Sequence, residues 1–245
     1  MSKLFGYKVY TKNRRTLISE LNERIKNKKK ASIVSLNTLK LYQGSKDENL
    51  EKLFQSGGYI IPDGQSIVFA ERLVHGNKIE AISGAELMVE LIKESEAKGY
   101  KLFFLGAPQS LLEKVKIKIE TDYPNLRKNI DFQHGYYDKS KEEEEVIKKI
   151  SDFKPDILFV AFGSPRKEKF IVENQHRLGA TISMGVGGSY EYFVGDVKLD
   201  SLTKKLGIRW LVRTLQDPMR LAKRYAVCNT YFLIVLLREI FTKYK

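Results

Sequence analysis

The run Tyr59-Ile60-Ile61-Pro62-Asp63-Gly64-Gln65-Ser66 places a carboxylate where a short apolar stretch ends and a helical pattern begins. In an open α/β sheet every strand-to-helix loop opens on the same edge, where ligands collect, so Asp63 is a candidate general base. The same Pro-Asp-Gly is also an ordinary tight turn, with Asp bonding its own backbone and Gly at positive φ. Three later apolar runs end in small residues as well: Leu105-Gly106-Ala107-Pro108, Phe162-Gly163-Ser164-Pro165 and Gly185-Val186-Gly187-Gly188-Ser189. Glycine lets backbone N–H groups approach a phosphate, and the next helix N-terminus adds favourable partial charge. Singly, each loop is explained by the steric needs of a short turn. Together with Asp63 on one edge they outline a cleft for a nucleotide diphosphate.

Other polar residues carry two readings each. Asn37, just past the run ending at Leu36, is suited to orient a sugar hydroxyl or to make a turn, and Ser35 on that run is grouped with it as substrate-binding. Ser83 and Glu86 have capping-box spacing, which makes Glu86 structural. The cluster Arg166-Lys167-Glu168-Lys169 opens a helix, where cations oppose the dipole; solvated surface charge explains it, and an anionic ligand would relieve the conflict. His75, His134 and His176 lack paired metal-ligand spacing, and no Asp-x-Asp holds a divalent ion. Neither a GxGxxG fingerprint nor a Walker lysine motif occurs, which argues against dehydrogenase and NTPase chemistry.

The elements that must position these residues alternate. Strands are expected at Leu4–Val9, Ala31–Leu36, Tyr59–Ile61, Lys101–Leu105, Asn129–Phe132, Ile157–Ala161 and Thr181–Val186. Helices are expected at Thr16–Asn27, Gln65–Val74, Ala85–Lys98, Ser110–Asp122, Lys141–Ser151 and Arg166–Arg177. That order predicts an α/β fold with a mostly parallel sheet and helices on both faces. After Val186 the pattern becomes helical, with Leu202–Gln216, an Asp217-Pro218 helix start, and a segment reaching about Ile240. Leu221, Tyr225, Cys228, Phe232, Val235 and Leu236 share one face of that last helix, flanked by Arg220, Arg224 and Arg238. Its cover is the core, a partner subunit in a homo-oligomer, or lipid headgroups.

Composition narrows the partners. The net charge of +13 favours anionic ones, and its distribution is uneven. Residues 201–245 hold ten Lys/Arg against Asp217 and Glu239, a net +8, whereas the first 200 hold 33 against 28, a net +5. No nucleic-acid motif accompanies the charge, so nucleic acid is not an expected partner. One cysteine, Cys228, excludes an intrachain disulfide and a Cys-based zinc site. The first residues lack a secretory h-region and no apolar run reaches membrane-span length, so the expected location is cytoplasmic.

This ordered series resembles the WecG/TagA/CpsF family of bacterial glycosyltransferases: Asn37, Pro62-Asp63-Gly64, Ile82-Ser83-Gly84-Ala85-Glu86-Leu87, Leu105-Gly106-Ala107-Pro108, Gly163-Ser164-Pro165 with Glu168, Gly185-Val186-Gly187-Gly188, and Trp210 through Tyr225. The resemblance implies a Rossmann-like core over 1–200 and a basic helical appendage over 201–245 that meets the inner face of the membrane. It implies an inverting, metal-independent transfer of a hexosamine, N-acetylmannosamine or a related sugar, from a UDP-sugar to an undecaprenyl-diphosphate-linked acceptor, in surface polysaccharide or teichoic acid synthesis. No cofactor is implied. Asp63 matches the family's base, Asn37 a polar residue of the same pocket, and Arg213 and Arg220 appendage arginines that reach the donor diphosphate, with Lys223 and Arg224 next in line. The substrate-binding set then comprises Ser35, Gly106, Ala107, Gly163, Ser164, Pro165, Lys167, Glu168, Gly187 and Gly188, joined by Lys223 and Arg224. Lys167 stands where many relatives carry glutamine, Ala81 where they carry arginine, and Lys198-Leu199-Asp200 replaces Arg-Ala-Pro; these departures bear on the sugar more than on the reaction. The competing classes are a nucleotide-binding oxidoreductase and a basic membrane adaptor without catalysis.

Overall fold

The computed structural model describes residues 1–47, 51, 54, 58–196 and 218–243. Eight strands form one sheet: β1 (Ser2–Leu4), β2 (Tyr7–Val9), β3 (Ala31–Leu36), β4 (Tyr59–Pro62), β5 (Leu102–Gly106), β6 (Ile130–Gln133), β7 (Ile157–Ala161) and β8 (Ile182–Gly185). Their spatial order is β1-β2-β4-β3-β8-β7-β5-β6, and every pairing except β1 with β2 is parallel. The helices are α1 (Arg14–Lys26), α2 (Thr38–Gly44), α3 (Gln65–His75), α4 (Gly84–Lys98), α5 (Gln109–Asp122), α6 (Lys139–Phe153), α7 (Arg166–Asn174), α8 (Ser189–Val194) and α9 (Pro218–Lys243).

Both faces of the sheet are covered because neighbouring strand residues point opposite ways. Phe104 joins a core with Leu17, Leu87, Val115 and Tyr190, while Phe103 and Leu105 pack with Ile147 and Phe170 on the other face. A third cluster sets Leu4, Val9, Val34 and Ile60 against Leu41, Ile67, Phe232 and Leu236, so α2, α3 and α9 cover the near end of that second face. The central strands are buried along their length, as parallel strands between two helical layers must be.

Several expectations are corrected. The single strand expected at Leu4–Val9 is a hairpin: Phe5 (φ 53°) and Gly6 (φ 83°) reverse the chain, and Leu4 pairs with Tyr7. Two consecutive positive φ values give the turn twist that suits a two-residue hairpin. Helix α2 was not expected; Asn37 starts it as N-cap, its Oδ1 accepting from the Lys40 N–H at 3.1 Å. Helix α8 follows directly on the Gly187-Gly188 loop. The capping box is absent at α4, where Ser83 makes no side-chain cap bond and Glu86 instead takes Arg14 Nη1 at 2.7 Å, tying α4 to α1. The helix expected at Leu202–Gln216 and the cap at Asp217 lie outside the described residues.

The last helix meets its expectation by docking. Cys228, Phe232 and Leu236 are buried; Phe232 stands edge-on to Phe5 at 5.9 Å, Tyr231 edge-on to Tyr42 of α2 at 5.6 Å, and Glu239 Oε1 accepts from the Phe5 N–H at 3.2 Å. An adjacent face, about 100° round the helix, is also apolar: Leu233, Leu237 and Phe241 are more than half exposed, and Phe69 and Leu73 project from the neighbouring α3. Against the expectation that no apolar run reaches membrane-span length, Ala222–Thr242 is long and apolar enough, at mean hydropathy 1.3, to cross a membrane by length and composition.

Candidate active site

All the loops singled out in the sequence open on one edge. Strands β3, β4, β5, β7 and β8 are mutually parallel, so Asn37, Asp63, Gly106-Ala107, Gly163-Ser164-Pro165 and Gly187-Gly188 follow their carboxyl ends together. The chain leaves β5 outward to β6 and leaves the adjacent β7 inward to β8. Such a reversal opens a crevice between the two loops. At its floor Gly106 (φ 102°) lies so near β7 that a Cβ would stand 2.9 Å from the Ala161 carbonyl carbon, so no larger residue fits. Arg166 closes one side, its guanidinium 4.3 Å from the Phe162 ring centre and 5.5 Å from that of Tyr137.

Asp63 is partly exposed at the end of β4. Its N–H donates to Leu36 O at 2.9 Å and the preceding Pro62 O accepts from Ile82 N–H at 2.8 Å, which pins the carboxylate-bearing residue between β3 and the approach to α4. The Asn37 amide reaches Asp63 Oδ2 at 3.5 Å, the outer limit of a hydrogen bond. Ser35 is buried, with its Oγ 2.9 Å from where a Gly84 Cβ would lie, so the missing side chain at Gly84 lets α4 start close against β3.

The charged run at the start of α7 is solvated only at its ends, at Arg166 and Lys169. Lys167 and Glu168 are buried, and Glu168 Oε1 lies 2.9 Å from Lys40 Nζ and 3.1 Å from Lys167 Nζ, with all three side chains under 10% exposed. Ser164 Oγ lies 3.0 Å from Glu168 Oε2 and 3.1 Å from Gln43 Oε1. A hydroxyl has one proton, so it donates to one of these at a time. Lys40 and Gln43 escaped the sequence reading. They follow Asn37 at three-residue steps on α2, so one helix sends Asn37 to Asp63, Lys40 to Glu168 and Gln43 to Ser164. A seven-residue helix offers less than two turns of apolar periodicity, and the N-cap Asn37 was the one usable signal.

Burial alone would raise the Glu168 carboxyl, but the ammonium groups of Lys40 and then Lys167 outweigh it and hold the pKa at about 2. Lys167 is pushed down to about 8, first by burial and then by the Lys40 charge, against the attraction of Glu168 and Asp63. The signs oppose. Glu168 contributes stability that is present above its ordinary value of 4.5 and lost as pH falls through about 2. Lys167 binds its proton less tightly folded than unfolded, so its cost is present below about pH 8 and is relieved as pH rises toward 10.5. The two effects oppose each other at neutral pH.

Removing only the shared carboxylate is a different matter. Glu168→Gln leaves two buried ammonium groups with only Asp63 attracting Lys167, and is expected to cost about 3 kcal/mol, whereas Lys40→Met leaves a one-to-one Lys167–Glu168 pair and costs less. Urea denaturation at pH 7 ranks the two; the reverse order would contradict the sharing.

Residues 2–245 match the family model described as glycosyl transferase WecG/TagA/CpsF family. The chain belongs to this family. Among its WecG/TagA/CpsF relatives, three Staphylococcus aureus proteins, from strains MW2, NCTC 8325 / PS 47 and COL, are each named N-acetylglucosaminyldiphosphoundecaprenol N-acetyl-beta-D-mannosaminyltransferase. Each is 35% identical over 173 residues, which span 70% of this chain and 66% of the relative. Of the arginines that the resemblance implies for the donor diphosphate, Arg213 lies outside the described residues and Arg220 falls in the first turn of α9. Lys223 and Arg224 are exposed on that helix, Arg224 with its guanidinium 5.5 Å from the Tyr225 ring centre.

Proposed function

We propose that this protein is a hexosyltransferase that moves a hexosamine from a UDP-sugar to an undecaprenyl-diphosphate-linked sugar, with inversion at the anomeric carbon and without a metal ion. The observation that carries the reading is the meeting of Asn37 and Asp63 on the sheet edge that also gathers three glycine-ended loops. The relatives' names make N-acetylmannosamine the first sugar to test and N-acetylglucosaminyl-diphosphoundecaprenol the first acceptor.

In this reading UDP lies along the loops after β5, β7 and β8, held by main-chain N–H groups. The Asp63 carboxylate takes the proton of the acceptor hydroxyl as that oxygen attacks the anomeric carbon. The bond from that carbon to the β-phosphate oxygen breaks on the opposite face, and UDP departs with the electron pair. Asn37 orients Asp63. Arg213 and Arg220, with Lys223 and Arg224, neutralise the charge growing on UDP, as preorganised cations do in a dry site. Residues 1–200 act as the catalytic core and 201–245 as an appendage that completes the site. The appendage also holds the enzyme against the inner face of the membrane, with Leu233, Leu237 and Phe241 turned to the lipid and basic residues beside them.

The reading is tested by offering purified protein a panel of UDP-hexosamines with a prenyl-diphosphate-linked N-acetylglucosamine, with and without EDTA. Acceptor-dependent UDP release from UDP-N-acetylmannosamine, unchanged by EDTA, is the expected result. Turnover abolished by EDTA and restored by a divalent ion would contradict metal independence. No acceptor-dependent release from any donor would overturn the reading.

A further inference from the structure

On one side, the end of β4 that carries Asp63 is held by a neighbour that is not a strand. Ile60 O accepts from Tyr10 N–H on the β2 side, and Pro62 O, two residues on, points the same way. β2 ends at Val9, opposite Ile60, so the next rung is filled instead by Ile82 N–H, 2.8 Å from Pro62 O. We infer that Arg14 is a positioning residue for Asp63, because it fastens the segment that carries Ile82 to the start of α1. This rests on the reading of Asp63 as the base and gives the role to a residue of α1, outside every loop of the cleft.

Arg14 grips this segment on both sides of Ile82. It stands in the first turn of α1, whose start is fixed by Asn13 Oδ1 accepting from Thr16 N–H at 2.9 Å. Its main-chain N–H, which has no partner within the helix, donates to Glu80 Oε2 at 3.1 Å, two residues before Ile82. Its guanidinium donates from Nη1 to Glu86 Oε2 at 2.7 Å, and Nε lies 3.1 Å from Glu90 Oε1, so one side chain spans the first two turns of α4. From Glu80 to Glu90 the chain holds these three carboxylates and no basic residue, so the cation among them comes from α1. Without it Glu86 and Glu90, four residues apart on one helix face, repel each other. A planar fork with separate donors suits two carboxylates at once, which a single ammonium group does not.

Between the two grips the segment fits closely, with Ile82 fully buried and Gly84 set against Ser35. Farther back, Asn77 is tied separately, its Nδ2 donating to Oε1 of the fully buried Glu71 at 2.8 Å. Loss of the Arg14 side chain therefore loosens 80–86 while Asn77 stays anchored and Ile82 and Leu87 stay in the core, so the fold is retained. What changes is the freedom of Pro62 and Asp63: Asp63 N–H keeps Leu36 O on the β3 side, and the other side slackens. The loops after β8, β7 and β5 lie beyond β3 in the sheet, so UDP binding is spared while the base loses its aim.

The test compares the full chain, wild type, with Arg14→Met, Glu80→Ala, Lys12→Met and Asp63→Asn. Three quantities are read: kcat with UDP-N-acetylmannosamine and a prenyl-diphosphate-linked N-acetylglucosamine, UDP affinity by calorimetry, and amide hydrogen exchange at Ile82 relative to the amides of β5. Arg14→Met is expected to lower kcat roughly 10- to 100-fold, the usual cost of a misplaced catalytic group, with UDP affinity held within about two-fold. Exchange at Ile82 should quicken by roughly 10-fold, as local opening becomes easier. Glu80→Ala, at an exposed position that cannot threaten the fold, should move kcat and Ile82 exchange the same way by less. Lys12→Met loses only the Glu20 ion pair of α1 and should change none of the three. If Arg14 serves stability alone, Arg14→Met lowers the urea midpoint while kcat and relative Ile82 exchange stay at wild-type values, which would overturn the inference. Wild-type kcat in Arg14→Met beside a collapsed Asp63→Asn would overturn it and leave the base reading intact, whereas undiminished kcat in Asp63→Asn would remove both. Unchanged Ile82 exchange in Arg14→Met would overturn the inference whether or not turnover is found.

Discussion

Asp63→Asn is expected to lower kcat by roughly 10²- to 10⁴-fold, the usual worth of a positioned general base, while UDP affinity changes by no more than a few fold. The substitution keeps the size and planarity of the side chain. It also keeps the main-chain contacts that fix the residue: the N–H to Leu36 O and the Pro62 O to Ile82 N–H. What it removes is the negative charge and the basic oxygen that take up the acceptor's proton. The new amide can present its oxygen to Asn37 Nδ2, 3.5 Å from the present carboxylate, with the Asn37 cap on Lys40 intact, so the pocket retains its shape. A large fall in kcat with UDP still bound locates the loss in the chemical step. Undiminished kcat would remove Asp63 as the base and return Pro62-Asp63-Gly64 to its reading as a simple turn.

Replacing Leu233, Leu237 and Phe241 together by Ser is expected to lower partitioning onto anionic vesicles by roughly 10²- to 10³-fold, allowing each apolar side chain about half of its full burial energy. The three residues repeat at four-residue steps on the solvent face of α9 and are 57%, 55% and 69% exposed. Docking of the helix depends on other residues, Cys228, Phe232 and Leu236, so the fold and UDP binding should persist. Turnover of a lipid-embedded acceptor should fall with vesicle binding, and turnover of a short-chain soluble acceptor should not. Full vesicle binding by the triple variant, measured by flotation, would show that this face does not meet lipid. Because α9 packs on α2, which is capped by Asn37 and carries Lys40 and Gln43, the helix proposed to meet lipid and the proposed base share one short helix as their link.

How much of this was legible in the sequence depends on how locally each feature is encoded. Asp63 and the glycine loops were legible because a parallel sheet punctuates each strand end with Gly and Pro, and because all such ends fall on one edge. The docked face of α9 was legible too: Cys228, Phe232 and Leu236 keep helical spacing, and these are the residues that bury. The hairpin at Phe5-Gly6 was not, since Phe5 adopts a positive φ for which phenylalanine gives no signal. The burial of Lys167 and Glu168 was hidden for another reason. A run of four charges reads as surface, and only the approach of Lys40 from α2, more than a hundred residues earlier, makes a buried carboxylate tolerable. The division of labour among the site residues depends on such long-range meetings, and local pattern carries little trace of them.

The most direct measurement of the central claim follows the transferred sugar itself. Full-length protein is given UDP-N-acetylmannosamine in its α-linked form and a prenyl-diphosphate-linked N-acetylglucosamine, and released UDP is quantified while the product's anomeric configuration is read by NMR. Equimolar UDP and disaccharide with a β linkage are expected, with no UDP release when the acceptor is withheld. An α-linked product, or UDP release that does not depend on the acceptor, would contradict the claim.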